Sequence, residues 1–221
     1  MNHLKDDYGI QLIGISGNAG SGKDTVAEYI QEIYIDVWAE AFAGPLKAAC
    51  SAAFGIPLIY FYSPVHKETT NEYWNVSPRQ IAQYVGTELF RDAMWKLLPE
   101  LSTGFWRHRL FAKLSGLSRN EDDGEYTPGD TVIIPDVRFK DEFEWVLQQG
   151  GIVICLHRET ATGNVGIPGH VSEQIYRPLD PKEGVYHVNN NGTIDELQEQ
   201  IRFILQNCSL TLTAKSIVNN L

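Results

Sequence analysis

Residues Ile10 to Ile33 read IQLIGIS-GNAGSGKD-TVAEYIQEI, and this stretch decides the fold. Ile10 to Ser16 is a short, mostly apolar run that ends in glycine-rich sequence, the signature of a buried strand. Thr25 to Ile33 spaces its apolar residues at helical intervals. Between them, GNAGSGKDT (Gly17, Asn18, Ala19, Gly20, Ser21, Gly22, Lys23, Asp24, Thr25) nearly matches G-x-x-x-x-G-K-[ST], a phosphate-binding loop in the strand-loop-helix setting that gives the pattern meaning. Glycines allow backbone N–H groups to turn inward around phosphate oxygens, and the helix N-terminus favours an anion. Lys23 supplies a charge for the β- and γ-phosphates.

Asp24 stands where a hydroxyl should meet magnesium. A carboxylate in a first turn suits the helix dipole, but next to a polyphosphate it is repelled unless a cation lies between. Asp24 is therefore either a Mg²⁺ ligand, direct or through water, or a simple first-turn acid. Thr25 offers the hydroxyl one position later, to metal or phosphate, or bonds only within its helix.

Outward from this loop, strands and helices alternate. Val37 to Phe42 reads as a second strand, and PLKAACSAAF from Pro45 as a helix. Ser77, Pro78 and Gln80 form an N-terminal capping signature for a helix reaching about Phe90. Gly104 to Leu114 is amphipathic. Arg119 to Asp130 is an acidic, turn-rich loop. TVIIP from Thr131 reads as a buried strand, followed by DVRF and the helix KDEFEWVLQQG, and Ile152 to His157 as a further strand. Thr160 to Gly169 is a polar, glycine-containing stretch able to act as a lid. Val185 to Val188 is a short strand and Thr193 to Leu205 a helix. Such alternation predicts an α/β fold with a parallel sheet covered on both faces.

The 221 residues, 43% hydrophobic and 21% charged, fit one domain with a full core and no wholesale disorder. A net charge of -10 argues against broad nucleic-acid binding, while leaving room for a local basic pocket. Cys50, Cys155 and Cys208 are odd in number and widely spaced, which predicts free thiols in a reducing compartment. The N-terminus is polar and no run approaches the roughly 18 apolar residues of a membrane span. These features predict a soluble, cytoplasmic protein.

Other charged positions fall at the predicted ligand edge of the sheet. Asp136 and Arg138 follow VIIP, and Arg158 follows the next strand. Glu142, four residues after Arg138, is placed equally well for an ion pair with it. Arg79, Gln83, Gly86 and Thr87 form one helical stripe that Arg91 continues, which a solvated face would also explain. Lys47 and Trp106 read equally as a surface lysine and a core aromatic.

SGNAGSGKDTVAEYI, FAGPLKAA, SPRQIAQYVGTELFRD, PDVRFKDEFEWVLQQGGIVI and VNNNGTIDEL, in this order, resemble the deoxynucleoside monophosphate kinases of tailed bacteriophages, within the P-loop kinase superfamily. The likeness runs from about Ile10 to Leu205. It implies a three-layer P-loop NTPase fold of the nucleoside monophosphate kinase type, with a core at about 10–206, an acceptor-binding helical region at about 45–115 and a lid at about 158–176. It implies transfer of the γ-phosphate of ATP, with Mg²⁺, to a small-molecule acceptor (a dNMP), with no nucleic-acid or membrane partner, in the host cytoplasm for a phage-encoded chain. A homodimer is compatible with it. Ser21, Lys23, Asp24 and Thr25 then belong to the ATP–Mg²⁺ side. Lys47, Arg79, Gln83, Gly86, Thr87, Arg91 and Trp106 lie around the acceptor, and Asp136, Arg138 and Glu142 near the transferred group, with Arg158 as a further phosphate charge. Two alternatives stand beside this reading: another small-molecule P-loop kinase of the dephospho-coenzyme A or phosphomevalonate type, and a non-catalytic nucleotide-binding switch. The switch reading lacks an N-K-x-D segment, and no D-x-x-G follows the phosphate loop.

Overall fold

Along the first strand the side chains part to opposite faces with the period-2 alternation of a pleated strand: Leu12 to one hydrophobic cluster, Ile13 and Ile15 to another. The computed structural model describes residues 3–42, 44–102, 104–118, 124–159, 167, 170–173, 175–176, 178 and 181–215. After a short helix α1 (Leu4–Tyr8), the strands are β1 (Gln11–Ser16), β2 (Val37–Ala39), β3 (Thr131–Val137), β4 (Ile152–His157) and β5 (Val185–Asn189). All pair in parallel, in the order β2-β3-β1-β4-β5. Because β1 is flanked on both sides and buried along its whole length, it reads as a continuous apolar run.

The helices divide between the two faces. α2 (Lys23–Ile33) and α7 (Ile194–Asn207) pack Val26, Ile30, Leu197, Ile201 and Leu205 against Ile13, Ile15, Ile133, Ile154 and Leu156. On the other face, α3 (Gly44–Phe54), α4 (Pro78–Tyr84), α5 (Phe105–Leu114) and α6 (Lys140–Gln148) bring Leu46, Ile81, Leu110 and Phe143 against Leu12, Val132, Ile134 and Val153. Each fully buried Ile or Leu of these two layers contributes about 1.5–3 kcal/mol. This is the three-layer α/β arrangement the sequence predicts.

Three local departures shape the site. First, β2 ends at Ala39 instead of Phe42. The Phe42 N–H donates to Asp136 Oδ1 (3.0 Å) instead of to the ladder, so the chain leaves the sheet there. Second, β3 continues through Asp136 and bulges: Gly14 opposes Ile134 but Ser16 opposes Val137, so β3 carries one extra residue. Pro135 lacks an N–H and lies at this break, which re-aims Asp136. Third, the helix that begins at Ser77 does not run as α-helix to Phe90. Its capping box forms (Gln80 N–H to Ser77 Oγ, 3.3 Å; Ser77 N–H to Gln80 Oε1, 2.9 Å), but beyond Tyr84 the chain widens into a π-helical turn over Val85–Arg91. Within this turn the Gly86 carbonyl accepts from the Trp106 indole (3.0 Å).

Cys50 and Cys155 are buried and Cys208 is half-buried, all as free thiols. Burial pushes the Cys50 thiol up to about 11, so it is unreactive. Among the described residues no helix is long and apolar enough to cross a membrane.

Candidate active site

β1 delivers the chain to Gly17 at the carboxyl edge of the sheet, where the phosphate loop turns into α2. Two glycines are required by close approach. A Cβ on Gly17 would lie 2.5 Å from Ser21 Oγ and 2.9 Å from the Leu156 carbonyl oxygen. Gly22 adopts φ +97°, and its Cβ would lie 2.5 Å from Asn190 Nδ2. Asn190 follows β5, and its amide donates to the Ser21 carbonyl at 2.8 Å, tying the loop to the far side of the sheet.

Inside the loop, Ser21 is fully buried and its hydroxyl has no partner among the described residues. Lys23 folds back over the loop and donates from Nζ to the carbonyls of Gly17 (2.6 Å) and Asn18 (2.9 Å). Asp24 and Thr25 are exposed in the first turn of α2. A cradle that only glycine fits, an orphaned hydroxyl and an ammonium held by weak acceptors together suit a polyphosphate. Among the described residues no group of three or more His, Cys, Asp or Glu gathers around a metal. A magnesium ion here would take Asp24, with Thr25 beside it, and draw its remaining oxygens from phosphate and water.

Facing the loop is a basic wall that the sequence shows only in part. Lys47, on α3, is half-buried with its ammonium 3.9 Å from the centre of the Tyr62 ring. Burial lowers its pKa, and the charges acting on it are Asp136, Lys67, Arg138 and Asp24. Lys67 lies on a 3-10 turn (His66–Glu68) and is lowered likewise by burial first, then by Arg79, with Glu68, Asp24 and Arg138 also acting. Arg79 Nε pairs with Glu68 Oε1 at 2.5 Å. Arg138 Nη1 donates to the Ser172 carbonyl (3.2 Å). Phosphate-loop Asp24 is thus in electrostatic reach of lysines carried by α3 and by the 66–68 turn, and Asp136 of β3 and Arg138 just beyond it complete the group.

The stripe on α4 is not a solvated face. Gln83 and Thr87 are buried, and Arg79 is only 12% exposed. Gln83 Oε1 accepts the Ile167 N–H at 2.8 Å. Trp106 is a core aromatic, 9% exposed, that supports Gly86 from below. Arg91 stacks on the Phe139 ring (3.8 Å) and pairs with Asp141 (2.7 Å). Glu142 is buried and serves as the cap of α6: Oε2 accepts the N–H groups of Arg138 (2.9 Å) and Phe139 (3.0 Å). It braces the backbone that carries Arg138. Burial pushes its carboxyl up to about 7, against the two N–H groups that pull it down. Arg158 is exposed just beyond β4, at the same edge. Most of the lid stretch Thr160–Gly169 lies outside the described residues.

Sequence reading missed Lys67, Glu68 and Asn190. Lys67 and Glu68 sit in a segment with no periodicity, and nothing local marks Asn190 as the residue that spans the sheet edge.

No family model matches the chain. A protein of Acanthamoeba polyphaga mimivirus, described as "Putative deoxynucleotide monophosphate kinase", is 32% identical over 200 residues, which cover 90% of this chain and 97% of that protein. Among solved structures, a gluconokinase from Sinorhizobium meliloti 1021 aligns with 14% identity and a TM-score of 0.42, over 89% of this chain and 97% of that one. TT1252 from Thermus thermophilus aligns with 17% identity and a TM-score of 0.41, over 89% and 96%. With a phosphate loop at the head of a parallel sheet and near-full-length likeness to the viral protein, the chain belongs to the deoxynucleotide monophosphate kinase family.

Proposed function

We propose that this kinase moves the γ-phosphate of ATP to a deoxynucleoside 5′-monophosphate, giving the diphosphate and ADP, with Mg²⁺ as the metal. The observation that carries the reading is the meeting of two sets of charges at one sheet edge: Lys23 and Asp24 on the loop, and Lys47, Lys67, Arg79 and Arg138 gathered on the acceptor side. A chain of net charge -10 concentrates cations there, as two facing polyanions require.

The chemistry asks for neutralisation, in-line positioning and exclusion of water. Lys23 exchanges its two carbonyl partners for donor phosphate oxygens, with the loop N–H groups and the Ser21 hydroxyl around them. Asp24 and Thr25 are the residues that would hold Mg²⁺, which would supply positive charge against the donor phosphates. Arg138 stabilises charge on the transferring group. Arg79, Gln83, Gly86, Thr87 and Lys47 form the acceptor side. The acceptor phosphate oxygen is already ionised at neutral pH, its second pKa being about 6, so no general base is needed. Asp136 works by position, fixing the Phe42 backbone ahead of α3 and hence Lys47. In this reading residues 10–206 are one kinase core, with the acceptor region at 45–115 and a closing segment at 158–176.

The test is ADP formation from Mg²⁺–ATP with dAMP, dCMP, dGMP, dTMP and the ribonucleotides offered singly. ADP is expected only when a deoxynucleoside monophosphate is present. No turnover with any of the four rejects the assignment.

A further inference from the structure

His170 is buried beside an exposed Val171, and both of its ring nitrogens are engaged. Nδ1 lies 2.7 Å from Ser172 Oγ and accepts the Ser172 N–H at 3.2 Å. A nitrogen that accepts an N–H carries no proton, so this bond network assigns the ring proton to Nε2, which faces Glu88 Oε1 at 3.1 Å. Ser172, buried as well, offers its carbonyl to Arg138 Nη1 at 3.2 Å. The Tyr176 N–H donates to the Arg138 carbonyl at 2.9 Å, so the stretch after His170 grips Arg138 at side chain and main chain alike. A continuous line of bonds thus runs from Glu88 through His170 and Ser172 to the Arg138 guanidinium.

The far end of this line is anchored twice. Gln83 Oε1 accepts the Ile167 N–H (2.8 Å), and the Ile167 carbonyl accepts the His170 N–H (3.1 Å). Gln83 and Glu88 are five positions apart. At about 100° per residue, such a pair points different ways on an α-helix. The widened turn over Val85–Arg91, in which the Asp92 N–H reaches the Thr87 carbonyl (2.8 Å), bonds i to i+5 and brings the two toward one side. Glu88 Oε2 is buried with no partner among the described residues, so the carboxylate is not placed there for its own solvation.

We propose that His170, braced by Glu88, is a positioning residue that sets the Arg138 guanidinium for the transferring phosphate through the Ser172 carbonyl. The inference rests on the kinase reading for the role given to Arg138. An arginine side chain has much rotamer freedom to lose when it engages a phosphate. One already bonded to a fixed carbonyl has lost part of it beforehand, and the carbonyl is fixed because the imidazole holds the N–H and hydroxyl of the same serine.

His170→Asn keeps an acceptor oxygen close to where Nδ1 lies but cannot reach Glu88. It and Glu88→Ala should each lower kcat by about 10–100-fold, with KM for ATP within about twofold. Glu88→Gln keeps an acceptor for the Nε2 proton and should recover most of the rate. In an Arg138→Ala background His170→Asn should cost less than about twofold more, because its effect passes through Arg138. A wild-type kcat in His170→Asn, or losses that simply add to that of Arg138→Ala, overturns the role.

Nuclear magnetic resonance of the ¹⁵N-labelled protein reads the same link without turnover. The Arg138 guanidinium signals, identified by their absence in Arg138→Lys, should be individually resolved in wild type and Glu88→Gln. They should be averaged by free rotation in His170→Asn and Glu88→Ala. Signals equally resolved in all four proteins reject the link, even if dNMP turnover is found. Averaging in the two cut variants, with no deoxynucleotide turned over by wild type, rejects the dNMP reading and upholds the link.

Discussion

Asn190 and Ser21 lie 169 positions apart in the chain, yet the Asn190 side-chain amide donates to the Ser21 carbonyl at 2.8 Å. The phosphate loop is therefore fixed from both sides of the sheet. α2 holds it from below, and the residue that leaves β5 holds it from the side. Asn190→Ala removes the donor and strands a buried carbonyl, which costs about 1–3 kcal/mol. The expected result is a lower thermal midpoint and a KM for ATP raised about tenfold, with the acceptor KM unaltered. Steady-state kinetics with each substrate varied in turn checks this, and a wild-type ATP KM refutes it.

On the proposed reading, Lys23→Ala and Arg138→Ala each remove a positive charge that would face the transferring group. Each should lose about 10²-fold or more in kcat/KM while unfolding at the wild-type temperature. Asp24→Asn keeps shape and hydrogen bonding but removes the anion. It should raise the Mg²⁺ concentration needed for half-maximal rate, read from a metal titration at fixed ATP. An unchanged Mg²⁺ requirement makes Asp24 a first-turn acid serving only the helix dipole.

Glu142 sets a pH dependence of stability with a defined sign. Its carboxyl titrates at about 7 when folded, against an ordinary value of 4.5. Between these values the folded chain binds more protons than the unfolded one, so the contribution of Glu142 is greatest at low pH and is lost as pH rises through about 7. Glu142→Gln retains an acceptor oxygen for the two backbone N–H groups and carries no charge. From about pH 5 to about pH 8, the wild-type thermal midpoint should fall relative to that of Glu142→Gln. Parallel curves for the two proteins would show that the buried carboxyl does not take up a proton.

What could be read before folding was what is local. The strand-loop-helix of the phosphate loop, the Ser77 capping box and the alternation that predicts a parallel sheet each depend on residues within a turn or two of one another. The same locality explains the errors. The end of β2 is set by Asp136, 94 positions away, which takes the Phe42 N–H. Glu142 was open to a pair with Arg138, and spacing alone could not show that its oxygen turns to the backbone. Within the π-helical turn the Gly86 carbonyl bonds to Trp106, a residue of another helix that local spacing does not point to. The 66–68 turn is tied to α4 by one ion pair between Glu68 and Arg79, 11 positions apart, with no periodicity to announce it.

The position of β1 also governs when the site can exist. Gln11 pairs with Thr131 and Ile13 with Ile152, so both neighbours of the central strand are made more than a hundred residues after it. During synthesis the phosphate loop emerges more than a hundred residues before the strands that give it its shape. Its geometry waits on the closure of two long loops, the entropically slow kind of step in folding. Until β4 and Asn190 arrive, GNAGSGKDT is a glycine-rich tether on an unpaired apolar strand, and the shape that suits a phosphate depends on a residue 169 positions downstream of Ser21.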